Sequence, residues 1–178
     1  MDKALEIQHH VGAFYNAYDL HGDGRVCVFS DAPSALRYAL HLQNALLCAD
    51  WPSSLLWQDS ADTNVSGDNV TYERGLRLAI GLHTGSIRQT IDPTTGRRSF
   101  LGSAVNTAAR VCGIAHEGQV VASRALIQQV ENSLLKDNPS IDVRPLGEHR
   151  LKGVRDKVAL FQVLPTVLAE ERSFPATQ

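Results

Sequence analysis

Apolar residues recur along the chain with two periods, and the changes of period divide it into interleaved helices and strands. Ala4, Leu5, Val11 and Phe14 share one side of a helical projection, so residues 2–14 are predicted to form the end of an amphipathic helix. Residues 26–29 are apolar and β-prone. The tight turn Gly22-Asp23-Gly24 before them predicts a hairpin with 17–20. Helical spacing returns at Leu36, Leu40, Gln43 and Leu47. Ser30 or Asp31 can cap this helix, Pro33 suits its first turn, and Asp50-Trp51-Pro52 ends it. From Asp50 to about Tyr72 the chain is rich in Asp, Asn and Ser, which predicts a dispensable surface insertion.

In the second half a strand is expected over 76–83, closed by Thr84-Gly85. The turn cluster Asp92-Pro93-Thr94-Thr95-Gly96 makes 86–101 a hairpin. Gly102 opens a helix to about residue 115, residues 119–122 form a short strand, and Ser123 caps a helix to about 135. Residues 141–150 and 157–163 form a last strand pair, so the domain is expected to cover 1–163 and a loosely docked tail 164–178. Strands and helices alternate, yet several strands are joined by hairpins. That pattern predicts an α+β sandwich with a mixed, mainly antiparallel sheet rather than a doubly wound parallel one.

Composition narrows the function. The chain has 178 residues, 43% of them hydrophobic, which suffices for one domain with a real core. Charged residues make up 20% and the net charge is −2. No basic stripe points to nucleic acid, so an anionic ligand must be held by a few placed side chains. No apolar run approaches the roughly 18 residues of a membrane span, and no signal peptide is predicted. Cys27, Cys48 and Cys112 are odd in number and lack metal-ligand spacing, which fits reduced thiols in the cytoplasm.

Three segments carry candidate chemistry. Gly22-Asp23-Gly24 places a carboxylate at a hairpin tip, where it is either a ligand for Mg²⁺ or an ordinary Asp-Gly turn. An EF-hand beginning at Asp19 fails, because its twelfth position is Ser30 where a bidentate Glu is required. In Gly102-Ser103-Ala104-Val105-Asn106-Thr107-Ala108-Ala109-Arg110, Asn106 and Arg110 are four apart and project from one helix face. They form either a solvated polar pair or an amide and a guanidinium able to hold a ribose oxygen and a phosphate. Lys152 before Gly153 is either a surface lysine at a turn or a cation for a polyphosphate.

Taken in order, these segments resemble the class III adenylate/guanylate cyclase family over residues 5–163. The resemblance rests on Gly22-Asp23 before a strand ending in Phe29, and on Gly75-Leu76-Arg77 running to Ile80-Gly81-Leu82-His83-Thr84-Gly85. It continues with Gly102, Val105-Asn106 and Ala108-Ala109-Arg110, then Gly118-Gln119-Val120 with Ser123, and Gly147 with Leu151-Lys152-Gly153-Val154. Trp51-Pro52, the insertion and Asp92-Pro93-Thr94-Thr95-Gly96-Arg97 are most similar to fungal and kinetoplastid adenylate cyclases.

The resemblance implies a ferredoxin-like α/β sandwich that works as a homodimer or heterodimer with active sites between subunits. It implies ATP, or GTP, as substrate, a two-ion Mg²⁺ or Mn²⁺ site, and a cytoplasmic location, including as the cytoplasmic portion of a larger or membrane-attached cyclase. Asp23 matches the second metal-binding aspartate, Asn106 the ribose-orienting Asn, Arg110 the transition-state Arg, and Lys152 the triphosphate Lys. The strand bearing the first metal aspartate lies upstream of the hairpin in the family and has no counterpart here, so the two-ion site is expected to be incomplete in this chain. Its absence is expected to leave the centre of the sheet unpaired. The base-reading Lys position falls on Asp19 or is deleted, and its partner aspartate is Ser99. A usual Arg is Ala79. These departures leave open an inactive regulatory or dimerisation module and a guanylate-type cyclase.

Overall fold

The computed structural model describes residues 14–19, 24–52, 55, 75–91, 93–94, 96 and 98–166. Phe14–Asp19 (β1) and Arg25–Phe29 (β2) pair antiparallel from Asp19↔Arg25 to Phe14↔Phe29. Phe14 therefore begins a strand instead of ending a helix. Phe14, Tyr15 and Tyr18 are β-favouring aromatics, and a partner strand outweighs the weak helical periodicity. The rest of the expected first helix, and the turn at Gly22-Asp23, lie outside the described residues.

The helix Ala32–Leu47 (α1) begins at Asp31. The Asp31 carboxylate accepts the Ser34 backbone N–H at 2.8 Å and the Ser34 hydroxyl at 3.0 Å, and the Ser30 hydroxyl donates to it at 2.8 Å. Two rows of α1 face inward. Tyr38, Leu42 and Leu46 pack with Cys27, Phe29, Trp51 and Ile80. Ala32, Leu36 and Ala39 pack with Val120, Ala122, Leu126, Val130 and Val163. Trp51 is thus part of a core cluster rather than of a dispensable insertion. Its Nε1–H donates to the Leu46 carbonyl at 2.8 Å, and its ring lies against Gly75 where any side chain would overlap it. Of the insertion that follows, Leu55 is described and exposed.

Beyond it come Ile80–Leu82 (β3), Arg88–Ile91 (β4), Arg98–Leu101 (β5), Ser103–Cys112 (α2), Val120–Ser123 (β6) and Arg124–Val130 (α3). α3 continues into one π turn, Glu131–Leu135, and Ile141–His149 (β7) and Val158–Pro165 (β8) follow. The main sheet has the order β3-β6-β8-β7, with β3 parallel to β6 and the other pairs antiparallel. β4 and β5 form a separate hairpin. The architecture is α+β with a mostly antiparallel sheet, as the sequence predicts.

β3 is shorter than the expected 76–83. Leu76 and Leu78 are exposed, and the Leu78 carbonyl accepts from Gln43 Nε2 at 2.6 Å and from the Gly118 N–H at 3.1 Å instead of joining a ladder. β6 alternates between the two faces of the sheet. Val120 and Ala122 meet α1 and α3, while Val121 meets Val111, Leu151 and Leu160. The buried Gln119 is held by polar bonds, its Nε2–H donating to Gln162 Oε1 at 2.9 Å and its Oε1 accepting the His116 N–H at 2.9 Å. Among the described residues β2 pairs with β1, β3 pairs with β6, and α1 packs across both sheets.

The cap makes a measurable demand. The Ser34 N–H bond holds the Asp31 carboxyl below its ordinary value of 3.8. A depressed carboxylate stabilises the fold above its unfolded value, and that stabilisation is lost as pH falls through the folded one. Asp31→Ala should therefore cost about 1 kcal/mol at pH 7. The gap between wild type and variant should narrow below pH 3.8. Urea unfolding of both proteins at pH 7 and pH 3 checks this; a gap unchanged with pH would show that the charge plays no part.

Candidate active site on the outer face of helix α2

α2 lies unusually close to the strand beneath it. A methyl group on Gly81 would overlap the backbone nitrogen of Cys112, and one on Gly85 would come within 3.0 Å of the Ala104 Cβ. The helix therefore rests on two glycines four residues apart, one at each of its ends. Its inward residues match this seat, since Ala104, Thr107 and Val111 are buried and two of the three are small or short. The Cys112 thiol donates to the Ala79 carbonyl at 3.4 Å, and burial pushes its pKa up, as befits a structural thiol.

With that face buried, Asn106, Ala109 and Arg110 point outward and are exposed. Asn106 and Arg110 share one outer face, as their spacing predicts. Among the described residues neither side chain has a hydrogen bond or ion pair within the chain, and the same holds for Lys152. Lys152 lies in the tight turn between β7 and β8, where the Val154 N–H donates to the Leu151 carbonyl at 3.1 Å. Leu151 and Val111 belong to one buried cluster with Val121 and Leu160. Arg110 and Lys152 each sit next in sequence to a member of that cluster, so one buried apolar cluster ties the helix end that bears the guanidinium to the turn that bears the ammonium.

The other expected positions are placed differently. Ser99 is half-buried on β5, directly opposite Thr90 of β4, whose hydroxyl donates to the Ser99 carbonyl at 3.4 Å. Ser99 lies three residues before Gly102, on the strand that feeds α2. Asp19 ends β1, opposite Arg25, in the separate two-stranded sheet. Asp23 lies outside the described residues.

Two features escaped the sequence reading. Ser123 holds the N-cap position of α3 but its side chain makes no capping bond. Its hydroxyl instead meets His83 Nδ1 at 2.8 Å, and burial lowers the His83 pKa below 6.5. Second, Gly81 reads in the sequence as one glycine among 13, and only the approach of Cys112 shows what it is for. Among the described residues no group of three or more His, Cys, Asp or Glu side chains converges to hold a metal ion. The described part of the site thus offers an amide, a guanidinium and an ammonium, a set suited to a polyphosphate and not to a cation.

Residues 43–165 match the family described as the adenylate and guanylate cyclase catalytic domain. The chain is 28% identical to the adenylate cyclase of Neurospora crassa over 83% of its own length and 8% of that protein. It is 36% identical to the adenylate cyclase of Lachancea kluyveri over 87% of its length and 10% of that protein. It thus spans a tenth or less of these curated relatives. Among solved structures, an adenylate cyclase from Trypanosoma brucei in its monomeric state superposes with a TM-score of 0.78 and 26% identity, covering 97% of this chain and 77% of that one.

The glycine seat predicts the response to a single methyl group. Gly81→Ala forces α2 off β3 against backbone, so it should destabilise the fold by about 1–3 kcal/mol, as overpacked sites do. Chemical denaturation reads the change; a loss within experimental error would mean that α2 does not rest on Gly81.

Proposed function

The chain belongs to the adenylate and guanylate cyclase catalytic domain family, and on that premise we propose that it supplies the transition-state half of a nucleotidyl cyclase site shared with a second cyclase half. The substrate is ATP, converted to cyclic AMP and pyrophosphate. The expected domain end at 163 falls inside β8, where Leu164 is buried and Pro165 pairs with Ile141, so the domain runs over residues 1–165 with the rest as a tail. It acts in the cytoplasm; among the described residues no helix is long and apolar enough to cross a membrane. One observation carries the reading: the unpartnered face of Asn106 and Arg110 is tied to the Lys152 turn through Val111 and Leu151.

In this scheme the ribose 3′-oxygen attacks the α-phosphate and pyrophosphate leaves. The Asn106 amide holds the ribose so that its oxygen is in line. The Arg110 guanidinium meets the charge that builds on the α-phosphate oxygens, and the Lys152 ammonium holds the departing phosphates. Preorganised charges of this kind contribute most where charge develops during reaction. Divalent ions serve the family as counter-ions to the triphosphate. Asp23 is the residue this chain would offer them; among the described residues no three His, Cys, Asp or Glu side chains converge on one point.

A second reading is favoured by Ser99. A hydroxyl in place of the family's aspartate, on the residue opposite Thr90, carries no charge with which to select adenine. It fits a guanylate-type enzyme, or a domain that keeps the fold and the dimer contact without turning over.

Mixing the chain with a homologous cyclase half that retains both metal aspartates but lacks its own Asn and Arg separates these readings. Wild type should restore cyclic AMP formation. Arg110→Ala should lower that rate by about 100-fold or more, the usual loss when one transition-state donor is removed. Equal background rates for wild type and Arg110→Ala would establish the non-catalytic module. Product from GTP in preference to ATP would establish the guanylate type.

A further inference from the structure

The loop between β7 and β8 gathers more positive charge than its surroundings neutralise. Residues 150–157 read Arg-Leu-Lys-Gly-Val-Arg-Asp-Lys, four cations and one carboxylate, in a chain whose net charge is −2. Lys157 lies 4.0 Å from Glu148, back along β7. Arg150, Lys152 and Arg155 are exposed, and among the described residues none of them has a hydrogen bond or an ion pair within the chain. Asp156, the carboxylate of the loop, makes no ion pair with them.

The loop is nevertheless firmly anchored. Leu151 is buried, and Val154 packs against the same cluster of Val111, Val121 and Leu160. Between them the Val154 N–H closes a turn on the Leu151 carbonyl at 3.1 Å, with Gly153 at φ 78°. A positive φ at the third residue of a turn is a glycine position, and it leaves Lys152 as the second residue of that turn. Arg150 precedes Leu151 and Arg155 follows Val154, so the two guanidinium groups flank the turn on its two arms. Nothing among the described residues lies within 4 Å of a methyl group built on Gly153, so the tip between them is open. Like charges held close together destabilise a fold, by about as much as opposite pairs stabilise it. Folding alone gives no reason to fix three of them on one anchored turn. An anion does.

We propose that Arg150 and Arg155 join Lys152 in a clamp for a polyphosphate, and that its occupant is the pair of phosphates that leaves the nucleotide. This deepens the reading of Lys152 as the cation for the departing phosphates, and it rests on that reading. Each guanidinium presents a planar fork matched to two oxygens of one phosphate, whereas the ammonium acts as a point charge. As the bond from the α-phosphorus to its bridging oxygen breaks, the electron pair stays with the pyrophosphate, which gains negative charge. Cations that meet it are therefore bound more tightly in the transition state than before it. A nucleic acid or a membrane surface calls for an extended basic face. The nearest basic residues on the two arms are already paired, Arg144 with Asp142 at 2.7 Å and Lys157 with Glu148. The free charge is confined to one turn, which suits a small compact anion.

Inorganic pyrophosphate, without a divalent ion, tests the clamp on the whole chain. Titration calorimetry at low salt should show it binding more tightly than orthophosphate, which reaches fewer of the cations. Arg150→Gln and Arg155→Gln should each weaken pyrophosphate binding by about 5–10-fold, the effect of one charged hydrogen bond discounted for exposure to water. Arg155→Lys should recover part of the loss, since it restores the charge without the fork. Arg124→Gln removes the same charge from α3, which packs on the other face of β6, and should leave binding unchanged. Thermal unfolding adds a readout that needs no ligand: at low salt the two glutamine variants should melt at or above the wild-type temperature, because repulsion is relieved. Absent binding, equal affinity for the two phosphates, equal losses for Arg124→Gln and Arg155→Gln, or lower melting in the loop variants overturns the proposal. So does attachment to phosphatidylserine vesicles that pyrophosphate does not displace, which would assign the loop to a membrane. In the mixed-half assay both loop variants should lower product formation from ATP. If calorimetry behaves as described while the mixture makes no product, the transfer role of Asn106 and Arg110 falls and the clamp stands. If Lys152→Ala lowers product formation and the two arginine variants do not, the reading of Lys152 stands and the clamp falls.

Discussion

The direct contact between Gly81 and the backbone of Cys112 is the constraint on which the rest of the site depends. It exists because position 81 has no side chain, and it brings the C-terminal end of α2 onto β3 with no layer of side chains between them. A second glycine at 85 admits Ala104 at the opposite end. Held at both ends, the helix has no freedom to roll, so burying Ala104, Thr107 and Val111 also decides which residues face out. Asn106 and Arg110 are exposed as a geometric consequence of that burial. Their lack of partners is then informative: a guanidinium and an amide are presented on a rigid element and left for something outside the chain.

The sheet carries this arrangement further. β6 supplies one buried residue to each face in turn, so the cluster below α2 and the cluster below α1 and α3 are two sides of one strand. Through Val111 and Leu151 the cluster under α2 reaches the β7–β8 turn and places Lys152. Through Tyr38, Leu42 and Leu46 the helix α1 reaches the β1–β2 hairpin, which stands apart from the main sheet. The cations therefore sit on one well-buried framework, whereas Asp19 belongs to the β1–β2 pair, which is joined to it through α1. A division of the site between two chains is compatible with that separation.

Much of this was legible in the residues. The strand-hairpin-helix order, the Asp31 cap and the common face of Asn106 and Arg110 follow from local rules of turn chemistry and period, which need no tertiary information. What was not legible depended on contacts distant in sequence. Phe14 joined a strand because residue 29 lies opposite it. Trp51 entered the core because Gly75 closes over it from the far side of the insertion. Leu76 and Leu78 fell out of the expected strand because Gln43 and Gly118 take the Leu78 carbonyl. Ser123 looked like a cap and is instead the partner of His83, 40 residues earlier. Each is a long-range pairing that periodicity cannot express.

The central claim is that one buried cluster fixes the guanidinium-bearing end of α2 relative to the lysine turn. A double-mutant cycle on Val111 and Leu151, each changed to Ala, measures this directly by equilibrium unfolding. The account predicts a coupling free energy of roughly 0.5–3 kcal/mol, the range for residues that share a cavity or a contact. Additivity within about 0.3–0.5 kcal/mol, as for independent sites, would contradict it, because α2 and the β7–β8 turn would then be held separately and Arg110 and Lys152 would have no common support.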